Sequence, residues 1–157
     1  LPTPRALPAL TLLNDDAVTI NRTAFEGHWS LVFMGFTSCG HTCPMAMAEI
    51  RAIYDQLDEP LEVVFFSVDP ERDDPAGLKS YVTNFDQAFT GITGTPEEIK
   101  KFANTLGAPY FVDSNADDYI VEHSSAIFLL NPDAAFAGVI TQPFEIDQIA
   151  NELNDLL

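Results

Sequence analysis

The segment Leu31-Val-Phe-Met-Gly-Phe36 carries no polar side chain. Side chains of a strand alternate between two faces, so an uninterrupted apolar run requires cover on both. That predicts the centre of an α/β sheet with helices above and below, and it argues against an edge strand or a sheet wetted on one side. A second run, Leu61-Glu-Val-Val-Phe-Phe-Ser-Val68, is rich in β-branched and aromatic residues and predicts a neighbouring strand. Between the two, Met47, Ile50, Ile53 or Tyr54, and Leu57 recur at helical spacing within Met45 to Leu57.

The same alternation continues to the C-terminus. Ala76 to Phe85 reads as a helix, and Phe89 to Ile92 as a short strand. A further helix is expected from Thr95, the N-cap, with Pro96 in its first turn, Glu98 placed for a capping box and Gly107 as the stop. Tyr110–Val112 and Tyr119–Val121 predict a hairpin around residues 113–118. Ser125–Leu130 and Phe136–Thr141 read as antiparallel strands about the turn Asn131-Pro-Asp133, and Phe144 to Leu157 as the last helix. Ahead of the central run, Ala17–Ile20 and Thr23–Phe25 read as an N-terminal β-hairpin turning at Asn21-Arg22. The fold class is therefore α/β, a mixed central sheet flanked by helices, with an N-terminal β-hairpin and an inserted hairpin before His123; a cysteine pair, Cys39 and Cys43, after the central strand and a closing hairpin plus helix make the plan thioredoxin-like.

At 157 residues a single domain is expected, here residues 11–157. Residues 1–10 hold three prolines and read as an extended N-terminal arm, the end of a linker. The net charge is −17, with seven Lys and Arg together. Binding to nucleic acid is not expected, because neutralising phosphates takes a basic patch. A basic protein surface or a cation is electrostatically easier, and general solubility is the ordinary explanation of such acidity.

Cys39 and Cys43 are the only cysteines, in Cys39-Gly-His-Thr-Cys43-Pro44, between the central strand and the helix that follows. The redox pair of thioredoxin-like oxidoreductases has two intervening residues; three change the geometry and leave room for a metal. Residues four apart on a helix have Cβ atoms about 5–6 Å apart, which is long for a relaxed disulfide but suits two sulfurs converging on one ion. Amides at a helix start favour thiolates, the form that acts both as nucleophile and as ligand. Two thiolates select Cu(I) or Zn(II). A closed four-ligand zinc site would draw heavily on a chain with two Cys and three His, whereas Cu(I) is satisfied by Cys39, Cys43 and one imidazole, which would also help hold Cu(II). A purely structural disulfide is the ordinary alternative.

His123, in Val121-Glu-His-Ser-Ser125, precedes the strand that neighbours the central one, so a thioredoxin-like plan turns it toward the thiols. Oxidoreductases of that plan carry a cis-proline in this loop; here Ser124-Ser125 stand instead. His41, between the cysteines, is an accessory ligand or an exposed loop histidine, and His28 reads as structural. Met45 and Met47 offer thioethers, although core packing is the ordinary role of Met47. Asp69-Pro-Glu-Arg-Asp73 is either a hard-cation site or, more ordinarily, a strand end followed by a helix cap, with Asp69 near the thiol loop at the carboxyl end of a central strand.

Together these residues resemble the Sco/SenC family of copper-binding, cytochrome c oxidase assembly proteins. The resemblance lies in Val32-Phe-Met-Gly-Phe-Thr-Ser-Cys39 with Cys43-Pro44, in Phe66-Ser-Val-Asp-Pro-Glu-Arg-Asp73, and in His123-Ser124 followed by Ile127-Phe-Leu-Leu-Asn-Pro132. It implies that Cys39, Cys43 and His123 are copper ligands in a metallochaperone that supports assembly of the copper site of cytochrome c oxidase subunit II. It also implies exchange with other copper chaperones and a thiol reductant, an N-terminal membrane tether, and a periplasmic or other extracytoplasmic location. Gly40-His41-Thr42 departs from the Pro-Asp-Val-like insert of many relatives. The alternatives are a thiol-disulfide oxidoreductase acting on the partner's copper-ligand cysteines, and a copper or redox sensor. A peroxidase fits less well, because no Arg adjoins Cys39.

Overall fold

The computed structural model describes the backbone of residues 3–37, 42–59, 61–108, 110–113, 120–123 and 126–157, and the side chains of these except at 42–43, 110–113 and 120–123. The central apolar run forms β4 (Ser30–Gly35), preceded by β1 (Arg5–Ala6), β2 (Leu12–Asn14) and β3 (Thr19–Ile20). Then come α1 (Thr42–Asp55), β5 (Glu62–Ser67), α2 (Pro75–Thr83), β6 (Thr90–Gly94) and α3 (Pro96–Leu106). The chain continues through β7 (Tyr110–Asp113), β8 (Ile120–His123), β9 (Ile127–Leu130), β10 (Ala135–Ile140) and α4 (Ile146–Leu156).

One sheet runs in the order β1-β10-β9-β4-β5-β6-β2-β3, and β7 and β8 form a separate pair. The strands β4, β5 and β6 are parallel, while β9 and β2 flank them antiparallel. Every residue of β4 is buried, as the unbroken apolar run requires. Its alternation separates two cores. Val32 and Met34 join Val64, Phe66 and Phe128 beneath α3, whereas Leu31 and Phe33 join Val63, Phe65 and Ile127 beneath α1, α2 and α4. On the first face Phe66 stacks on Phe102 of α3, with ring centroids 4.5 Å apart and planes 8° apart.

Several local expectations needed correction. The N-terminal hairpin pairs β2 with β3, Leu12 opposite Ile20, and the chain turns at Ala17, whose φ is 61°. Thr23–Phe25 is not its second strand. The Asn21 side chain accepts from the Thr23 amide at 2.9 Å and starts a 3-10 helix, Arg22–Phe25, which buries Phe25. The inner part of the N-terminal arm is held by the domain: Arg5 and Ala6 pair with β10, and Leu7 and Leu10 enter the core. At α3, Thr95 caps the Glu98 amide as expected, but Glu98 points its carboxylate to Lys101 at 3.2 Å, so only half of the capping box forms. Gly107 ends that helix with φ 64°, the left-handed position that glycine takes without strain.

Candidate metal centre

The thiol segment begins where β4 and β5 end. Gly35 lies opposite Ser67 in the parallel register, and the Val68 amide donates to the Gly35 carbonyl at 2.9 Å. From there the chain passes Phe36 and Thr37 and re-enters regular structure at Thr42, so the backbone of Cys43 belongs to the first turn of α1. The first-turn amides of a helix are unpaired within it and favour an anion. Cys39 and His41 lie outside the described residues. Two residues of chain reach at most about 7 Å, so Thr37 bounds the region that Cys39 can occupy.

The histidine belongs to the separate β7–β8 pair. Its backbone closes β8, with His123 opposite Tyr110, so it belongs to the inserted hairpin as a strand residue and not to a loop. The hairpin is longer than expected by one residue at Asp113 and ends two residues later, at His123. Its side chain, like that of Cys43, is outside the described set, as are Ser124 and Ser125. Described chain resumes at Ala126, next to Ile127, which pairs with Phe33 of β4. Three residue steps span at most about 11 Å. The segments leading to Cys39 and from His123 therefore attach to adjacent strands, at the carboxyl end of β4, where sites in α/β sheets gather.

Beneath this end lies a hydrogen-bonded layer. Asp69 and Asp73 are 0% and 2% exposed. The Ser67 hydroxyl donates to Asp73 Oδ2 at 2.6 Å and accepts from the Asp69 amide at 3.1 Å. Asp73 Oδ2 also accepts from the Thr37 amide at 3.0 Å, and the Thr37 hydroxyl donates to Asp73 Oδ1. Arg72 Nε donates to Asp69 Oδ2 at 2.6 Å, and its guanidinium lies 5.8 Å from the centroid of the Phe36 ring. The helix cap expected within 69–73 is instead Asp74, which accepts from the Gly77 amide at 2.7 Å with Pro75 in the first turn. A sequence signal for this was available: Asp74-Pro75 is the cap-and-first-turn pair, and only one of two adjacent aspartates can cap. Among the described residues, no group of three or more His, Cys, Asp or Glu is placed to hold a metal ion.

The other candidates separate cleanly. His28 sits at the opposite end of the sheet, its Nε2 2.6 Å from Glu62 Oε2, in the structural role expected of it. Burial pushes the Glu62 carboxyl up from its ordinary range, against the opposing pull of His28. Met47 is fully buried with Ile50 and Ile53, which is its packing role, whereas Met45, in the first turns of α1, is 63% exposed.

The sequence profile of the SCO1/SenC family matches residues 3–157. The chain belongs to the SCO1/SenC family. Its relatives include a protein of Stutzerimonas stutzeri named "Putative copper-binding protein", 34% identical over 138 residues that make up 85% of this chain and 68% of that one. A mitochondrial SCO1 homologue of Arabidopsis thaliana is 35% identical over 128 residues, and the matched part is 78% of this chain but 38% of the relative. The matched part of this chain thus spans well under half the length of that relative. In three dimensions the Sco fold is reproduced by the crystal structure of Arabidopsis thaliana ScoI with copper bound. The TM-score is 0.86 at 29% identity, covering 94% of this chain and 95% of the other. The thioredoxin-like α/β architecture expected from the sequence is the one observed.

Proposed function

We propose that this Sco domain is a copper metallochaperone in which Cys39, Cys43 and His123 hold copper as cargo. The observation that carries the proposal is the attachment of both ligand segments to one sheet end, in a chain whose fold matches a copper-bound Sco protein along nearly its whole length. The donor set suits the metal. Two thiolates bind Cu(I) strongly, and an imidazole extends the set toward Cu(II). Amides of the first turn of α1 favour the thiolate at Cys43. His41 is an accessory donor within the same segment. Closing a disulfide between Cys39 and Cys43 would remove two electrons and both sulfur ligands, so copper loading depends on a thiol reductant.

The receiving site belongs to cytochrome c oxidase subunit II, with other copper chaperones as donors. The domain, with Arg5–Leu10 of the N-terminal arm packed onto it, works on the extracytoplasmic face, held to the membrane by an N-terminal tether. Among the described residues, no helix is long and apolar enough to cross a membrane.

Metal transfer tests the assignment. Copper-loaded protein mixed with the copper-free soluble domain of subunit II is expected to lose its metal to that domain, followed by the spectrum of the receiving dinuclear site. Copper that stays on this protein, combined with catalytic turnover of a subunit II disulfide by the metal-free form, would replace the chaperone with a thiol-disulfide reductase.

A further inference from the structure

We infer that Asp73 is a positioning residue for Cys39: its buried carboxylate ties the chain at Thr37 and so sets where the first thiol is presented to copper. The inference rests on the copper-site proposal above. Both Asp73 oxygens are committed. Oδ2 accepts from the Thr37 amide and the Ser67 hydroxyl, and Oδ1 accepts from the Thr37 hydroxyl. Thr37 is 36 positions away in sequence and is gripped through main chain and side chain together. The side holding it is itself fixed. The Asp73 amide donates to the Asp69 carbonyl at 3.0 Å, and Ser67 is the last residue of β5.

A parallel contact lies beside the first. Phe36 packs under the Arg72 guanidinium, which is bonded to Asp69, so two consecutive residues before the thiol segment are held by two consecutive residues of the turn after β5. Capping α2 does not explain Asp73, because Asp74 does that. Satisfying the Ser67 hydroxyl does not explain the double contact with a loop residue either. Groups that orient a metal ligand from outside the coordination sphere typically contribute about 10–100-fold in metal affinity.

The test compares three variants with the wild type. It measures Cu(I) affinity by chelator competition, the Cu(II) absorption spectrum, and two copper-free quantities, the dithiol–disulfide midpoint potential and the alkylation rate of Cys39. Thermal melts report folding. Asp73→Ala is expected to weaken copper binding about 10–100-fold, change the Cu(II) spectrum and shift both copper-free quantities. Asp73→Asn keeps an oxygen for the Thr37 amide and Ser67, and its NH2 can donate to a rotated Thr37 hydroxyl. It is expected to stay within about threefold of wild type, well inside what one lost hydrogen bond costs. Thr37→Val retains the amide contact and loses the hydroxyl one, so an intermediate loss of about fivefold is expected; this variant carries the test if Asp73→Ala does not fold. Wild-type values in Asp73→Ala or Thr37→Val would overturn the inference, and so would a loss in Asp73→Asn equal to that in Asp73→Ala. Wild-type protein that binds no copper would overturn the copper site alone. The midpoint and alkylation rate would then decide on Asp73, with unchanged values refuting its role.

Discussion

Serine at position 39 or 43 is expected to abolish stoichiometric copper binding by the reduced protein. Oxygen is a poor match for Cu(I), and a single remaining thiolate with one imidazole cannot compete with a micromolar chelator. The effect of His123→Ala should depend on oxidation state, which gives the variant its diagnostic value. Cu(I) is content with two thiolates and should be retained with weakened affinity. Cu(II) relies more on the imidazole and should lose at least about 100-fold, the upper end of what outer-sphere changes produce. Chelator competition at both oxidation states, with the Cu(II) spectrum, checks the pattern. Equal losses for both ions would remove His123 from the proposed set.

Phe66→Ala should have the largest effect on stability. The ring is fully buried and stacked on Phe102, so truncation removes apolar contact on both surfaces and opens a cavity between sheet and helix. A loss of about 3–5 kcal/mol is expected in urea unfolding. The pair should also couple: in a double-mutant cycle with Phe102→Ala, roughly 0.5–1.5 kcal/mol should disappear from the sum of the single losses. Strict additivity would mean that the stacked geometry contributes nothing beyond burial. Phe66 immediately precedes Ser67 in β5, so the same variant also shows how far a soft core reaches the proposed site; copper stoichiometry should hold at temperatures where the variant remains folded.

Much of this architecture was legible because burial on two faces leaves an unambiguous pattern. The run 31–36 could only be a central strand, and its neighbour at 61–68 and the helix between them followed from period alone. Capping chemistry was equally direct at Thr95 and Gly107. Legibility failed where side chains compete with the local pattern. Thr23–Phe25 has strand-like composition, yet the Asn21 side-chain oxygen captures the Thr23 amide and coils the segment. Glu98 was placed for a capping box, but Lys101 three residues on offered an opposite charge. Ala17–Ile20 kept only its last two residues as strand, because the turn needed Ala17.

For the site, the ligand types and spacing were visible in Cys39-x3-Cys43 and His123. The support beneath them was not. Asp73 is one of five acidic residues between 69 and 86 that local patterning treats alike, and nothing nearby in sequence points to Thr37. Its hydrogen bonds span the gap between two parallel strands, a relation that exists only once β4 and β5 are side by side. Their ends meet because Gly35 is in register with Ser67, and register between parallel strands is a property of the assembled sheet.

The central claim is that the two thiols serve first as copper ligands, and a titration under controlled thiol redox state tests it most directly. Fully reduced protein is expected to bind about one equivalent of Cu(I), with loss of both free thiols to alkylation. Protein oxidised to the Cys39–Cys43 disulfide should bind none at the same chelator strength. Equal binding by the two forms, or no binding by the reduced form, would contradict the account.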